Sequence, residues 1–257
     1  KIMGDILKVE NVTLQFGGVK AITDISLNVK EGEVCAVIGP NGAGKSSMLN
    51  VINGVYVPQI GTVTYDGVTR KTISPREAAI SGMARTFQNI ALFQGMSVLE
   101  NIMTGRNLFV KSNWMEQGLN IGRARTEERA SRLAVEKIIS FLQIESIRKT
   151  PVAKLPYGLQ KRVELGRALV SEPKILLLDE PMSGMNLEEK ADMSCFILEI
   201  NKEQGITTVM IEHDMGVVMD ISDHVVVLDY GKKIGDGSPT EVMANQDVID
   251  AYLGVSH

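Results

Sequence analysis

The chain has 257 residues, a mass of 28.1 kDa and a formal net charge of −4, with 44% hydrophobic and 23% charged residues. This length can bury a large core, and the acidic balance disfavours a nucleic-acid partner held by a broad basic surface, although a local basic patch stays open. No run approaches the roughly 20 apolar residues of a membrane span, and no signal peptide is recognisable. Cys35 and Cys195 lie far apart without metal-binding spacing, which favours a reducing cytoplasm.

Two alternating segments near the beginning, residues 7–16 and 22–29, predict antiparallel strands joined at a Gly-Gly pair. Residues 61–67, GTVTYDG, predict a third strand of the same layer that runs into an Asp-Gly turn. Phe16 ends the first strand. Its side chain is either a core aromatic or a surface on which a purine base stacks.

The motif GPNGAGKSS at residues 39–47 follows an apolar β-branched run and precedes a segment of helical spacing. Its glycines let main-chain N–H groups turn inward, and the helix adds the positive end of its dipole. Lys45 would reach the β- and γ-phosphates of a triphosphate, and the Ser46 hydroxyl would bind Mg²⁺; the alternative is a plain glycine-rich turn. The predicted phosphate-binding residues are Gly39, Pro40, Asn41, Gly42, Ala43, Gly44, Lys45, Ser46 and Ser47.

The middle of the chain reads as mostly helical, which predicts a helical subdomain inserted at residues 90–170. A short helix is expected at 75–81, with Pro75 in its first turn. A longer helix is expected to begin at Thr126. Its predicted apolar face consists of Leu133, Ala134, Ile138, Phe141 and Leu142. Trp114 is interpreted as a core residue or a subunit contact.

Residues 155–173 predict a further helix that starts after the sequence PYG. Val163, Gly166, Leu169 and Val170 form its apolar stripe. The turn delivers main chain into a helix N-terminus, which makes this a second place able to hold a phosphate.

The sequence ILLLDEP at 175–181 predicts a buried strand that ends in two carboxylates at the edge of a parallel sheet where ligands bind. Asp179 would hold Mg²⁺ or its water, and Glu180 would polarise an attacking water; the alternative is a solvated loop. Residues 207–214 predict another buried strand ending at His213, which is either structural or a contact to the γ-phosphate.

The remaining segments carry clear helix and turn signals. Asn186 is predicted to cap a helix with Glu189 as its partner. Residues 224–237 predict a hairpin. Ser238 opens a capping box that starts a terminal helical tail over residues 238–257.

With these residues in place, the chain resembles the ATP-binding subunit of ABC transporters over nearly its full length. Residues 39–47 match the Walker A motif, ILLLDE matches Walker B, and SGMN at 183–186 matches the D-loop. Phe16, Gln88 and His213 match the adenine-stacking, loop-glutamine and switch-histidine positions, and LPYGL at 155–159 matches the signature. The resemblance implies one ABC ATPase domain over residues 1–257: an α/β P-loop NTPase core with a mostly parallel sheet, an N-terminal antiparallel β layer and an inserted α-helical subdomain.

The resemblance also implies the roles of these residues toward ATP and Mg²⁺. Glu180 is the general base, His213 holds the γ-phosphate and the attacking water, and Gln88 joins the metal site and links the nucleotide to a membrane partner. A head-to-tail dimer, with itself or with a paralogous subunit, would hold each ATP between one Walker A and the other signature. The signature residues that would meet the phosphate are Tyr157, Gly158 and Leu159.

Two motifs depart from the family pattern, and in the signature Tyr157 and Leu159 differ from LSGGQ as well as Pro156. Pro156 replaces the serine of LSGGQ and offers neither a hydroxyl nor an N–H group, so only the amides of the next three residues can meet a phosphate. Asn186 replaces the aspartate that usually ends the D-loop, which keeps the capping shape and removes the charge.

Within the family, the insertion around residues 105–125, the LPYG and GMN forms and the ending VIDAYLG look like subunits of branched-chain amino-acid importers. This implies an ATPase motor at the cytoplasmic face of the cell membrane, bound to permease subunits and indirectly served by a periplasmic or extracellular solute-binding protein. The alternative is a soluble ABC ATPase that acts on nucleic acid or ribosomes. A third reading, suggested by Pro156, is a subunit that binds nucleotide and hydrolyses it poorly.

Overall fold

The computed structural model describes residues 4–109 and 123–253, so Trp114 lies outside the described residues, as do most of the 105–125 insertion and the last residue of VIDAYLG. The strands are β1 (Asp5–Phe16), β2 (Val19–Lys30), β3 (Val34–Ile38), β4 (Ile60–Tyr65), β5 (Val68–Arg70), β6 (Met83–Arg85), β7 (Ile175–Asp179), β8 (Thr207–Ile211), β9 (His224–Asp229) and β10 (Lys232–Gly237). The helices are α1 (Lys45–Ile52), α2 (Pro75–Ile80), α3 (Val98–Thr104), α4 (Arg123–Phe141), α5 (Tyr157–Leu169), α6 (Leu187–Gln204), α7 (Met215–Ile221), α8 (Pro239–Met243) and α9 (Gln246–Leu253).

A central sheet carries the site. In the described part of the chain its strand order is β10-β9-β3-β8-β7-β6, parallel except for the β9–β10 hairpin. Both faces of its inner strands are buried, which explains why their sequences are continuous apolar runs. Cys35 and Val37 pack toward α1 and the N-terminal layer, whereas Ala36 and Ile38 pack toward the helices on the opposite face. The predicted mostly parallel α/β core is confirmed.

The N-terminal layer is an antiparallel sheet of order β2-β1-β4-β5 in the described residues. Along β1, Val9 and Val12 are three positions apart, so strict alternation would put them on opposite faces of the sheet. A register shift between them turns both side chains into the core. Asn11, within this bulge, has φ +49°. The predicted Asp-Gly turn is present, with positive φ at Asp66 and Gly67 as two-residue hairpins require.

The helical region differs from the prediction in its first part and in one helix face. Residues 86–97 contain no helix, and in the described part of this region the helices are α3, α4 and α5, joined in part by short 3₁₀ turns. Helix α4 is already helical at Arg123, so the predicted start at Thr126 is wrong. Of the predicted α4 face, Leu142 is buried and Ala134, Ile138 and Phe141 pack against the core, whereas Leu133 is 60% exposed. Val135 and Ile139, which the prediction left out, are also buried.

The helices of residues 90–170 share a continuous apolar core with one face of the central sheet. Val163, Gly166, Leu169 and Val170 are buried, as predicted for the α5 stripe. The subdomain boundary at 90–170 stays a prediction. The edge strand β6, which sequence reasoning left unassigned, pairs with β7 through only three residues.

Two corrections concern the C-terminal part. Strand β8 ends at Ile211 rather than at His213, because the Glu212 carboxylate turns inward and accepts the N–H groups of Met182 and His213. The tail after Ser238 is two helices rather than one, because the Asn245 side chain accepts the N–H of Asp247 and starts α9. The hairpin and the capping boxes of Asn186 and Ser238 are present.

Candidate nucleotide site

The loop of residues 39–44 joins β3 to α1 and is built so tightly that glycine is required at its two ends. Gly39 has φ +144°, and a Cβ atom there would lie 2.0 Å from the Leu228 carbonyl oxygen on β9. Gly44 has φ +99°, and its Cβ would lie 2.6 Å from the Ala21 carbonyl oxygen on β2. Any side chain would displace main chain at both points, so the neighbouring strands fix the loop.

Helix α1 begins with its main-chain donors available. Its N-cap is Gly44, and no side chain of the described residues caps it, so the first N–H groups can bind an anion. The Lys45 ammonium donates to the carbonyls of Gly39 (2.7 Å) and Pro40 (2.9 Å) across the loop. Burial lowers the pKa of Lys45, and the carboxylates of Glu180 and Asp179 oppose that shift. This is the chemistry of a phosphate-binding loop.

Asp179, at the end of β7, is buried and paired with a cation that sequence reasoning missed. The Arg85 guanidinium lies 3.0 Å from one carboxylate oxygen of Asp179 and donates to Asn50 on α1 at 2.6 Å. Burial raises the pKa of Asp179, and Arg85 opposes that shift. The second oxygen, Oδ1, is buried without a hydrogen-bond partner among the described residues, which suits a hard divalent cation such as Mg²⁺. A lone arginine in the segment MARTF was the only sequence signal.

Glu180 and Gln88 meet beside Asp179. The Gln88 side-chain amide donates to the Glu180 carboxylate at 3.1 Å. Glu180 has φ +48°, and its N–H donates to the Ile211 carbonyl at 3.0 Å, which anchors the residue to β8. The structure therefore brings together two residues that are 92 positions apart in the sequence and that were both predicted for the site.

His213 is exposed and follows a buried carboxylate. Glu212 accepts the main-chain N–H groups of Met182 (3.0 Å) and His213 (3.2 Å), and burial raises its pKa. Glu212 thus ties the segment after β8 to the segment after β7. Sequence reasoning missed it, although an acid directly before the histidine was visible. The contact of His213 with a γ-phosphate stays a prediction.

The predicted signature residues lie over the D-loop of their own chain. Tyr157 is 43% exposed, and its ring limits the space at Gly184, where a Cβ would lie 3.2 Å from the ring. Gly158 faces Glu189, whose carboxylate would lie 2.2 Å from a Cβ. Helix α5 has Pro156 as its N-cap and no side-chain cap from the described residues. Its first N–H groups are therefore also available to an anion.

Phe16 lies at the end of β1 with 46% of its surface exposed, and it contacts Tyr56 edge-on at a ring distance of 5.0 Å. Phe16 is therefore not a buried core residue. Its stacking on adenine stays a prediction.

Fold and site together define a nucleotide-binding ATPase with a P-loop. The sequence model of the family described as "ABC transporter" matches residues 22–183, and that described as "Branched-chain amino acid ATP-binding cassette transporter" matches residues 232–257. The chain therefore belongs to the ABC transporter family, as an ATP-binding cassette that hydrolyses ATP. The recognition of this family from the sequence motifs is confirmed.

Three similar proteins each match nearly the whole chain. It is 36% identical to the high-affinity branched-chain amino acid transport ATP-binding protein BraF of Pseudomonas aeruginosa over 249 residues, 97% of this chain and 98% of BraF. It is 36% identical to the corresponding protein LivG of Salmonella typhimurium over 255 residues, with the same coverage. The ADP conformation of MJ1267, an ATP-binding cassette of an ABC transporter, superposes with a TM-score of 0.85 at 32% identity over 98% of this chain and 99% of that one.

None of the described helices is both long enough and apolar enough to cross a membrane.

Proposed function

We propose that this cassette is the motor subunit of an importer for branched-chain amino acids or related small solutes. The observation that carries the proposal is full-length similarity, at 36% identity, to two ATP-binding proteins named for high-affinity transport of these amino acids. The match of residues 232–257 to a family model of the same description supports the same cargo class independently.

In the proposed reaction, the main-chain N–H groups of the phosphate loop and Lys45 hold the triphosphate. Ser46 and Asp179, with Gln88, would hold Mg²⁺, which would offset the charge on the phosphates when bound. Glu180 would accept the proton of the attacking water, and His213 would contact the γ-phosphate. Phe16 would offer its exposed ring to the adenine.

The proposed working form is a head-to-tail dimer, with itself or with a paralogous subunit. Tyr157, Gly158 and Leu159 begin a helix whose N-cap is Pro156, so their N–H groups are not satisfied by a capping side chain. Tyr157 lies over the D-loop with 43% of its surface exposed, whereas Gly158 is buried against Glu189 and Leu159 packs against the core. A phosphate bound by a second chain would accept hydrogen bonds from the N–H groups of this first turn.

The proposed location is the cytoplasmic face of a membrane, against separate permease subunits that receive solute from a periplasmic or extracellular binding protein. Exposed apolar side chains near Gln88 support a docking surface there. They are Phe87, Phe93 and Met96. A change at this surface could be transmitted to the nucleotide through Gln88, which contacts Glu180.

Co-expression with a branched-chain amino acid permease pair tests the proposal. The tagged permease should recover the chain, and complexes reconstituted together with the solute-binding protein should take up leucine only with MgATP. The matched Glu180→Gln variant should bind the permease equally and lose about 10²- to 10⁴-fold in turnover, because the general base is gone. Failure of the permease to recover the wild-type chain or to raise its ATPase rate would contradict the proposal.

The two rival functions have their own tests. The named relatives give no support to action on nucleic acid, and a salt-sensitive, ATP-dependent shift of DNA or RNA by the pure protein would be needed to revive it. The poorly hydrolysing subunit predicts a wild-type turnover equal to that of Glu180→Gln. We expect the two rates to differ.

A further inference from the structure

Side chains on one face of α5 hydrogen-bond to the main chain around Gln88. The Lys161 ammonium donates to the carbonyl oxygens of Gln88 (3.0 Å) and Phe87 (3.3 Å). The Glu164 carboxylate accepts the N–H of Ala91 at 3.3 Å. Arg167, three residues further on, donates to the carbonyl of Ala91. The spacing of three residues puts these side chains on one side of the helix, facing a segment without secondary structure of its own.

Stability alone does not account for this arrangement. The Lys161 and Glu164 side chains are each 2% exposed, and their charged atoms lie 3.8 Å apart. Burial lowers the pKa of Lys161 and raises that of Glu164, so burial opposes both charges. An apolar pair of similar volume generally stabilises a core as well or better. What the charged pair supplies is directed hydrogen bonds that fix the path of residues 87–91.

The segment of residues 87–91 leads directly to the proposed general base. The main-chain oxygen of Gln88 is held by Lys161, and its side-chain amide donates to the Glu180 carboxylate at 3.1 Å. The residue whose main chain Lys161 holds is therefore the residue whose side chain contacts Glu180. One turn before Lys161 on the same helix, Tyr157 contacts the D-loop at Gly184. Helix α5 thus connects the signature residues with the Gln88–Glu180 contact.

We propose that Lys161 is a positioning residue for hydrolysis: by holding the Gln88 main chain, it sets the Gln88 amide against Glu180. This inference rests on the roles proposed for Gln88 and Glu180 above. Lys161 acts through Gln88. Among the described residues, its side chain makes no hydrogen bond to the loop of residues 39–47. Its loss should therefore lower kcat and leave ATP binding intact.

The test compares Lys161→Met with the double change Lys161→Met/Glu164→Gln. The single variant leaves Glu164 buried without its cation and should therefore destabilise the fold. The double variant replaces both charged residues by uncharged side chains of similar size, so the folded protein can be assayed. The control is Arg162→Met on the same helix, which removes an ion pair with Asp192 and leaves residues 87–91 untouched. We expect the double variant to lose about 10-fold in kcat, with KM for ATP within about 2-fold and the control near wild type.

A double-mutant cycle with Gln88→Ala separates positioning from a general loss of structure. If Lys161 acts through the Gln88 side chain, the double change should cause no further loss of kcat in a Gln88→Ala background. An equal loss in both backgrounds, or a folded double variant with wild-type kcat, would overturn the inference. A wild-type protein whose turnover equals that of Glu180→Gln would instead overturn the proposed roles on which the inference rests.

Discussion

Two helices, α1 and α5, begin differently from the other helices whose N-caps are described. In α1 the N-cap is Gly44 and in α5 it is Pro156, and neither end receives a side-chain hydrogen bond from the described residues. The other α-helices with described N-caps all accept a main-chain N–H with the side chain of the capping residue: Ser74, Ser97, Asn186, Asp214 and Ser238. Asn245 does the same at the start of α9. The uncapped ends are the two that the proposed mechanism places on phosphate, so their unused donors have a functional explanation.

The two uncapped ends differ in how much of their site one chain supplies. The end of α1 is surrounded by its own loop, by Lys45 and by Asp179 at the end of β7, and main chain from two strands fixes it in place. The end of α5 lies on the D-loop with Tyr157 exposed. In the proposed mechanism, the α1 end forms a binding site within the chain, and the α5 end binds a phosphate only when a second chain brings one to it.

The largest expected effect comes from Gly44→Ala at the α1 end. The new methyl group would lie 2.6 Å from the Ala21 carbonyl oxygen at a φ of +99°, so the loop must move. We expect ATP affinity to fall by at least about 100-fold, or roughly 3 kcal/mol, by calorimetry. Gly67→Ala is the control, because Gly67 also has positive φ and has open space around it. It should cost only about 1 kcal/mol of stability. Equal ATP affinities of the two variants would contradict a loop held by packing.

A smaller effect is expected from Pro156→Ser at the α5 end. The new hydroxyl can accept an N–H of the first turn, as the Ser238 hydroxyl does for Glu241. We expect the nucleotide-free protein to gain about 1 kcal/mol, or about 2–4 °C in Tm. Ser238→Ala, the matched opposite change, should lose a similar amount. An unchanged Tm in Pro156→Ser would mean that the α5 donors are already satisfied.

The smallest expected effect concerns His224, which lies away from the N-termini of both α1 and α5. The His224 ring hydrogen-bonds to the carboxylates of Asp236 (2.6 Å) and Glu33 (3.2 Å). Hydrogen bonds to Asp236, the largest cause, and to Cys35 and Glu33 raise the pKa of His224 from 6.5 to about 12. The folded state thus binds this proton more tightly, so the stabilisation is full below pH 6.5 and declines as pH rises toward 12.

His224→Gln should therefore lower Tm most at pH 6 and progressively less at pH 8 and 10. The partly exposed pair suggests about 1 kcal/mol, or about 2–4 °C, at the lowest pH. ATP affinity should not change, because His224 begins β9 whereas the phosphate loop contacts Leu228 near its end. A Tm difference that is constant with pH would show that the proton is not linked to folding.

Much of the fold and of the phosphate loop could be predicted from sequence because the signals are local. Glycines that need positive φ, an apolar strand before them and a helix after them lie within about 15 consecutive residues. The turn at Asp66, the Asn186 capping box and the buried run of β7 are equally local. Each depends on residues adjacent in the chain.

The parts that were missed depend on distant partners. The role of Arg85 depends on its ion pair with Asp179, 94 positions away, and that of Lys161 on its hydrogen bond to Gln88, 73 positions away. On α4 only Leu133 was assigned to the apolar face wrongly, and the buried Val135 and Ile139 were missed, because several apolar residues compete and packing against α3 and α5 decides among them. The break at Asn245 was missed because a capping box predicts where a helix starts and not where it ends.

The most direct test of the account is the size in solution of the Glu180→Gln variant with and without MgATP. Removing the proposed base should leave ATP intact, so that the α1 end of one chain and the α5 end of another hold the same triphosphate. The account predicts a monomer without nucleotide and a dimer with MgATP, despite Pro156 in the signature segment. A monomer under both conditions would contradict a site completed by a second copy of this chain, and would require a paralogous subunit or the permease to complete it.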